Sequence, residues 1–182
     1  KNLVQQQEQR DGEPRLMMLE TIREYGMEAL ETSGKIEDTR WTHAAYYLRL
    51  AEEAEPQLGG RQQVSWFERL EREHDNLRAT LSWLLERVSD AQRSDLALRL
   101  GGALAQFWEI RGYVSEGRHW LERALEISRG VRSAVRAKAL IGAGRIASFQ
   151  DDFGQAEALC REGLALYREL GGGTGDGFGT VE

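Results

Sequence analysis

Three histidines and one cysteine carry most of the chemistry this chain could offer, and their spacing gives them nothing to act with. His43, His74 and His119 fall on three different expected helices, and none has a second ligand at metal spacing. Each reads as a structural histidine. Cys160 is the single cysteine, which excludes an internal disulfide and a cysteine zinc site. It sits at an inward position of a helical repeat, so a buried thiol is expected. This cysteine usage fits a reducing, cytoplasmic compartment. The acidic pairs Glu37-Asp38, Glu52-Glu53 and Asp151-Asp152 fall at helix starts or on solvent faces, where acids are ordinary. No serine lies in a nucleophile elbow. The Gly-rich tail lacks both Gly-Lys-Ser/Thr and a preceding strand, so it is no phosphate loop. No enzymatic chemistry, metal or cofactor is expected of these residues.

The charge pattern is a stronger signal. The chain of 182 residues has a net charge of −6, unevenly spread. Residues 111–145 carry eight Lys/Arg against three Glu, whereas 1–110 carry 14 against 20 and 146–182 carry two against seven. Such a basic stretch is either a solvated face or a docking surface for an acidic partner or anionic ligand. Direct nucleic-acid binding is not expected, because the chain is acidic overall and shows no base-reading helix. No apolar run reaches 18 residues, so no membrane association is expected. The first residue is Lys1 and no apolar signal segment follows, so the chain reads as a piece of a longer protein.

Helices must position these groups. Leu3–Gln9 and Pro14–Leu19 flank Asp11-Gly12, which predicts a two-stranded hairpin. Thr21-Ile22-Arg23-Glu24 fits a capping box, with Thr21 capping a first helix that Gly34 ends. A second helix is expected from Asp38 to Glu55, stopped by Pro56 and Gly59-Gly60. A third, over 61–88, carries the stripe Trp66, Leu70, His74, Leu77, Leu81, Leu84, Val88. A bend is available at His74-Asp75-Asn76, with His74 inward and Asp75 or Asn76 satisfying free amides. Four more helices follow at 94–111, 114–129, 133–149 and 153–170, two of them capped by Ser115 and Ser133. Gly112 and Asp151-Asp152 mark turns. Trp66, Trp83, Trp108 and Trp120 lie on helical stripes and read as core, the alternative being that one or two line a groove between helices. From Gly171, six glycines in nine residues predict a flexible tail, 171–182.

The last four helices form an internal echo. Residues 98–131 and 137–170 align with an offset of 39, pairing Ala105 with Gly144, Gly117 with Ala156, Ala124 with Gly163, Val114 with Phe153 and Leu125 with Leu164. Each unit is about 34 residues, the period of a tetratricopeptide helix pair. Such pairs bury their apolar faces only by stacking. The fold expected is all-α, a right-handed superhelix of tetratricopeptide-like pairs with a short N-terminal hairpin. The chain divides into 1–19, a helical region of three helices over 20–92, two repeats over 93–170, and the tail. In tetratricopeptide proteins the first helix of each pair lines the concave side. That resemblance places Arg99, Gln106, Glu109 and Ile110 on the inner face of the first repeat. It places Lys138, Ile141, Arg145, Ser148 and Phe149 on that of the second.

The segments Leu19–Tyr25 (LETIREY), His43–Tyr47 (HAAYY) and Leu70–Arg78 (LEREHDNLR) resemble those of large bacterial transcriptional regulators. These combine a signal-transduction nucleotide-binding (NB-ARC) ATPase, a winged-helix segment and a tetratricopeptide-like array, often with a LuxR-type DNA-binding domain. The resemblance covers about 10–170 and makes the hairpin the end of the winged-helix segment. It implies a partner- or ligand-sensing, autoregulatory array that works through protein–protein or interdomain contacts. A small-molecule inducer is a possible input, and any ATPase activity would lie in another domain. Relative to the usual repeat, Arg111 precedes Gly112, and Gly117 stands where alanine is commoner. The alternative from another class is a generic scaffold of a protein complex with no signal input.

Overall fold

The computed structural model describes residues 4–8, 14–87 and 90–171. The Asp11-Gly12 turn, Val88 and the tail beyond Gly171 lie outside the described residues. The chain divides into two compact units, Lys1–His43 and Ala44–Glu182.

In the first unit, β1 (Val4–Glu8) and β2 (Pro14–Met18) pair antiparallel, with Val4 opposite Met18 and Glu8 opposite Pro14. Helix α1 is Glu20–Thr32. Its N-cap is Leu19, not Thr21. Pairing ends at Met18, and Leu19 is still extended while its carbonyl already takes the amides of Ile22 and Arg23, each at 2.9 Å. Thr21 is therefore inside the first turn and cannot adopt a cap conformation. Gly34 ends the helix as expected, at φ +70°.

Helix α2 (Ile36–Ala54) contains the boundary between the units and runs into a 3₁₀ turn at Glu55–Gln57, where Pro56 supplies no amide donor. The expected third helix is two: α3 (Gln63–Arg72) and α4 (His74–Leu84). The break falls at Glu73, outside helical geometry at φ −97° and ψ 6°. Four helices and a 3₁₀ turn therefore stand before α5 where three helices were expected. Then come α5 (Ala91–Arg111), α6 (Val114–Ile127), α7 (Ala134–Phe149) and α8 (Phe153–Glu169).

Helix α5 is the hub. It packs on α4, α6 and α7, while α7 also packs on α6 and α8. Between residues 97 and 108 its residues are apolar or glycine save Arg99 and Gln106, as a helix covered on most sides requires. Leu98, Leu100, Leu104, Phe107 and Trp108 are buried. Gly117 answers its departure from alanine: a Cβ there would lie 2.7 Å from both Ile146 Cδ1 and Trp108 Cε3. At Gly163 it would meet the Ala137 carbonyl at 2.9 Å. Small residues are the condition for these helix crossings. Trp83 joins Trp108 in the core, whereas Trp66 and Trp120 are half-buried. Cys160 is also half-buried rather than buried, with its Sγ against Gly144 of α7.

Caps set the helix starts. Ser133 accepts the Arg136 amide at 3.1 Å, as expected. Ser115 does not cap α6; Tyr113 precedes that helix, and the Ser115 hydroxyl accepts from Gln150. Asp90 caps α5 through the Gln92 and Arg93 amides, which moves its start from 94 back to 91. Asp152 caps α8 through the Gln155 amide.

Candidate interaction surface

The Glu73–Arg78 segment builds a polar junction where α4 meets α6. His74 is 6% exposed, and its Nε2 donates to Glu116 Oε1 at 2.9 Å. Its ring lies 4.2 Å from that of Tyr113 and 5.3 Å from that of Phe107. Arg78 holds the other Glu116 oxygen through Nε and Nη2, at 2.9 and 2.5 Å. Burial pushes the Glu116 carboxyl up, but Arg78 and His74 together outweigh it and hold the group below the usual carboxylate range. The Tyr113 hydroxyl donates to Glu71, which holds the phenol above its ordinary range. Glu73 accepts from Tyr47 at 2.8 Å and from Asn76 at 2.7 Å. Neither Asp75 nor Asn76 caps α4: Asp75 pairs with Arg78, and Asn76 is spent on Glu73. Every acid here faces a cation or a hydroxyl, with no nucleophile beside a base, so the cluster joins helices. Among the described residues no group of three or more His, Cys, Asp or Glu could hold a metal ion. His43 is half-buried and His119 exposed.

All eight cations of the basic stretch 111–145 have partners within the chain. Arg111 pairs with Glu71, Arg129 with Glu126 and Arg132 with Glu169. Arg118 reaches Glu122, Gln150 and Asp152, which ties the α7–α8 turn to α6 and lowers the Asp152 carboxyl. Arg123 donates to the Leu85 carbonyl. Arg136 donates to the Leu125 carbonyl at 2.7 Å and to Ser128 Oγ at 2.8 Å. Lys138 pairs with Glu55, and Arg145 with Glu109. Acids from outside the stretch supply much of this neutralisation.

The residues expected on a concave face separate into two sets. Arg99 binds Glu52 through two hydrogen bonds of 2.8 and 2.9 Å. Gln106 donates to the Leu58 carbonyl at 3.4 Å. With Lys138 on Glu55, these three hold residues 52–58 against α5 and α7. Ala54 and Leu58 are buried there and anchor the segment. Ile141 is half-buried against Gly163 of α8. What remains open lies at the C-terminal ends of α5 and α7. Ile110 is 58% exposed and Phe149 56%, with Ser148 exposed beside the Arg145–Glu109 pair. A surface of this kind can take an apolar side chain between charged neighbours.

Two proteins with provisional names as HTH-type transcriptional regulators, one from Mycobacterium bovis and one from Mycobacterium tuberculosis H37Rv, are similar to this chain. Each is 32% identical over 169 residues, covering 88% of this chain and 18% of its own length. The chain thus spans under a fifth of the length of these curated relatives. No family model matches the chain, and no solved structure does. Among the described residues no helix is long and apolar enough to cross a membrane.

Sequence reasoning missed two buried arginines, Arg93 and Arg136. Each stands three residues after a helix cap, Asp90 or Ser133, and donates to carbonyls at the end of a preceding helix: Trp83 for Arg93, Leu125 and Ser128 for Arg136. The signal was available as Asp-x-x-Arg and Ser-x-x-Arg.

Proposed function

We propose that this chain is a contact region of a bacterial transcriptional regulator, a tetratricopeptide-like array that senses a partner or an adjoining domain. The observation that carries the reading is the similarity to HTH-type regulators across most of the chain. Packing of α5 on α7, with α6 on both, is what a stack of helix pairs requires. The Glu73–Arg78 segment behind the family resemblance is spent on joining helices, which suits a region that transmits contacts rather than one that performs chemistry. On this reading the chain is not an enzyme and works in the cytoplasm, with any signal-transduction ATPase and LuxR-type domain elsewhere in the regulator. Its partner surface is the Ile110–Phe149 edge, not a basic groove, because Arg99, Gln106 and Lys138 are engaged within the chain.

The test is Ile110→Asp combined with Phe149→Asp. Both side chains are exposed, so the helical dichroism should be unchanged. Affinity for the adjoining regulator domains should fall at least tenfold. Unaltered affinity would overturn this edge as the contact surface.

A further inference from the structure

The 39-residue echo compares two helices residue by residue, one covered and one bare. On α6, Leu121 and Ser128 are buried and Leu125 is 7% exposed. Helix α7 covers that side: Ile146 packs at Gly117, a Cβ on Gly142 would come within 3.9 Å of Leu121, and Arg136 closes the end of the helix on Leu125 and Ser128. Their counterparts on α8 are Cys160, Leu164 and Tyr167, with Phe153 matching Val114. Leu164 is 48% exposed and Phe153 64%, Tyr167 is half-buried, and Cys160 marks the edge of the stripe, its Sγ lying against Gly144 of α7. At positions i, i+7, i+11 and i+14 they form one stripe along α8, beside the face that packs on α7.

We propose that this stripe is the seat of a further helix with the chemistry of α7: a glycine- or alanine-lined seam and an arginine in its first turn. The seam lets the backbone approach Leu164, as Gly142 comes within van der Waals reach of Leu121. The arginine answers the carbonyls at the end of α8, as Arg93 answers α4 and Arg136 answers α6. Glu157 and Arg161 pair with each other along the adjacent solvent side and leave the stripe itself uncharged. The inference stands on the repeat register alone and does not rest on the regulatory reading.

The test fuses a second copy of residues 129–149 behind the full chain and follows thiol labelling of Cys160, the chain's single cysteine. Seating of the added helix should slow labelling at least tenfold. Leu164→Asp in the chain, or Arg→Ala at the added copy's counterpart of Arg136, should restore the parental rate. Leu164 is exposed, so parental dichroism in Leu164→Asp separates loss of seating from loss of folding. A fusion that labels at the parental rate would overturn the proposal. So would a parent chain that doubles in size on a sizing column and returns to monomer with Leu164→Asp, because the occupant would then be a second copy of the chain.

Discussion

The guanidinium of Arg136 lies 2.7 Å from the backbone carbonyl of Leu125, so the first turn of α7 closes the end of α6. The same nitrogen also meets Ser128 at its carbonyl and its hydroxyl. Removing the side chain strands these acceptors in a buried place. Hydrogen bonds to charged groups contribute about 1.5–3 kcal/mol. Arg136→Ala should therefore destabilise the chain by about 2–3 kcal/mol, read as a lower denaturation midpoint at constant m. A loss below about 0.5 kcal/mol, the size of an ordinary surface change, would refute this role.

Gly117 tolerates no methyl group. Alanine there improves helix propensity by about 1 kcal/mol. Against that, its Cβ would sit 2.7 Å from Trp108 and Ile146, both nearly fully buried and held by their own neighbours. Overpacking costs about 1–3 kcal/mol and should win. Gly117→Ala is expected to lower the thermal midpoint, and Gly154→Ala, with nothing within 4 Å, to leave it equal or higher.

Glu116 makes stability depend on pH. Its carboxyl titrates below the ordinary range in the folded state. The unfolded chain therefore takes up the proton first as pH falls. The contribution of Glu116 is complete above the unfolded value, about 4.3 for a free Glu, and is lost as pH drops through the folded value. Glu116→Gln should be less stable than the parent at pH 7, and the difference should shrink below pH ~4. Parallel unfolding curves at pH 7 and pH 3.5 with an unchanged gap would contradict this.

Local pattern made the helices legible. Apolar periodicity, Gly34, Gly112 and Ser133 mark where helices run and stop, because caps and stripes act within one or two turns. The bend available at His74-Asp75-Asn76 falls one residue earlier, at Glu73, and the partner that meets the Glu73 carboxylate, Tyr47, lies 26 residues away, where no local pattern shows it. The basic stretch misled for the same reason. A run of cations shows its sign, but its acids, Glu55, Glu71 and Glu169, come from elements far along the chain. The concave-face residues were read from the repeat alone, and nothing local announces that residues 52–58 lie over Arg99, Gln106 and Lys138.

That covered face yields a prediction opposite to the one a basic groove would give. If Lys138 served an external acidic partner, Lys138→Glu would leave the fold untouched. Instead Lys138 meets Glu55 on a turn flanked by the buried Ala54 and Leu58. Charge reversal sets two carboxylates against each other at a half-buried site and loosens residues 52–58. The pair is partly exposed, at 42% and 30%, so its own strength should be near the upper end of a surface pair, about 1 kcal/mol. Lys138→Glu should destabilise by about that amount or more, and Glu55→Lys similarly. The double swap, Lys138→Glu with Glu55→Lys, should recover much of the loss. A double-mutant cycle reads the coupling directly. Coupling within error of zero, with both single variants as stable as the parent, would return Lys138 to the solvent face and reopen the basic surface as a docking site.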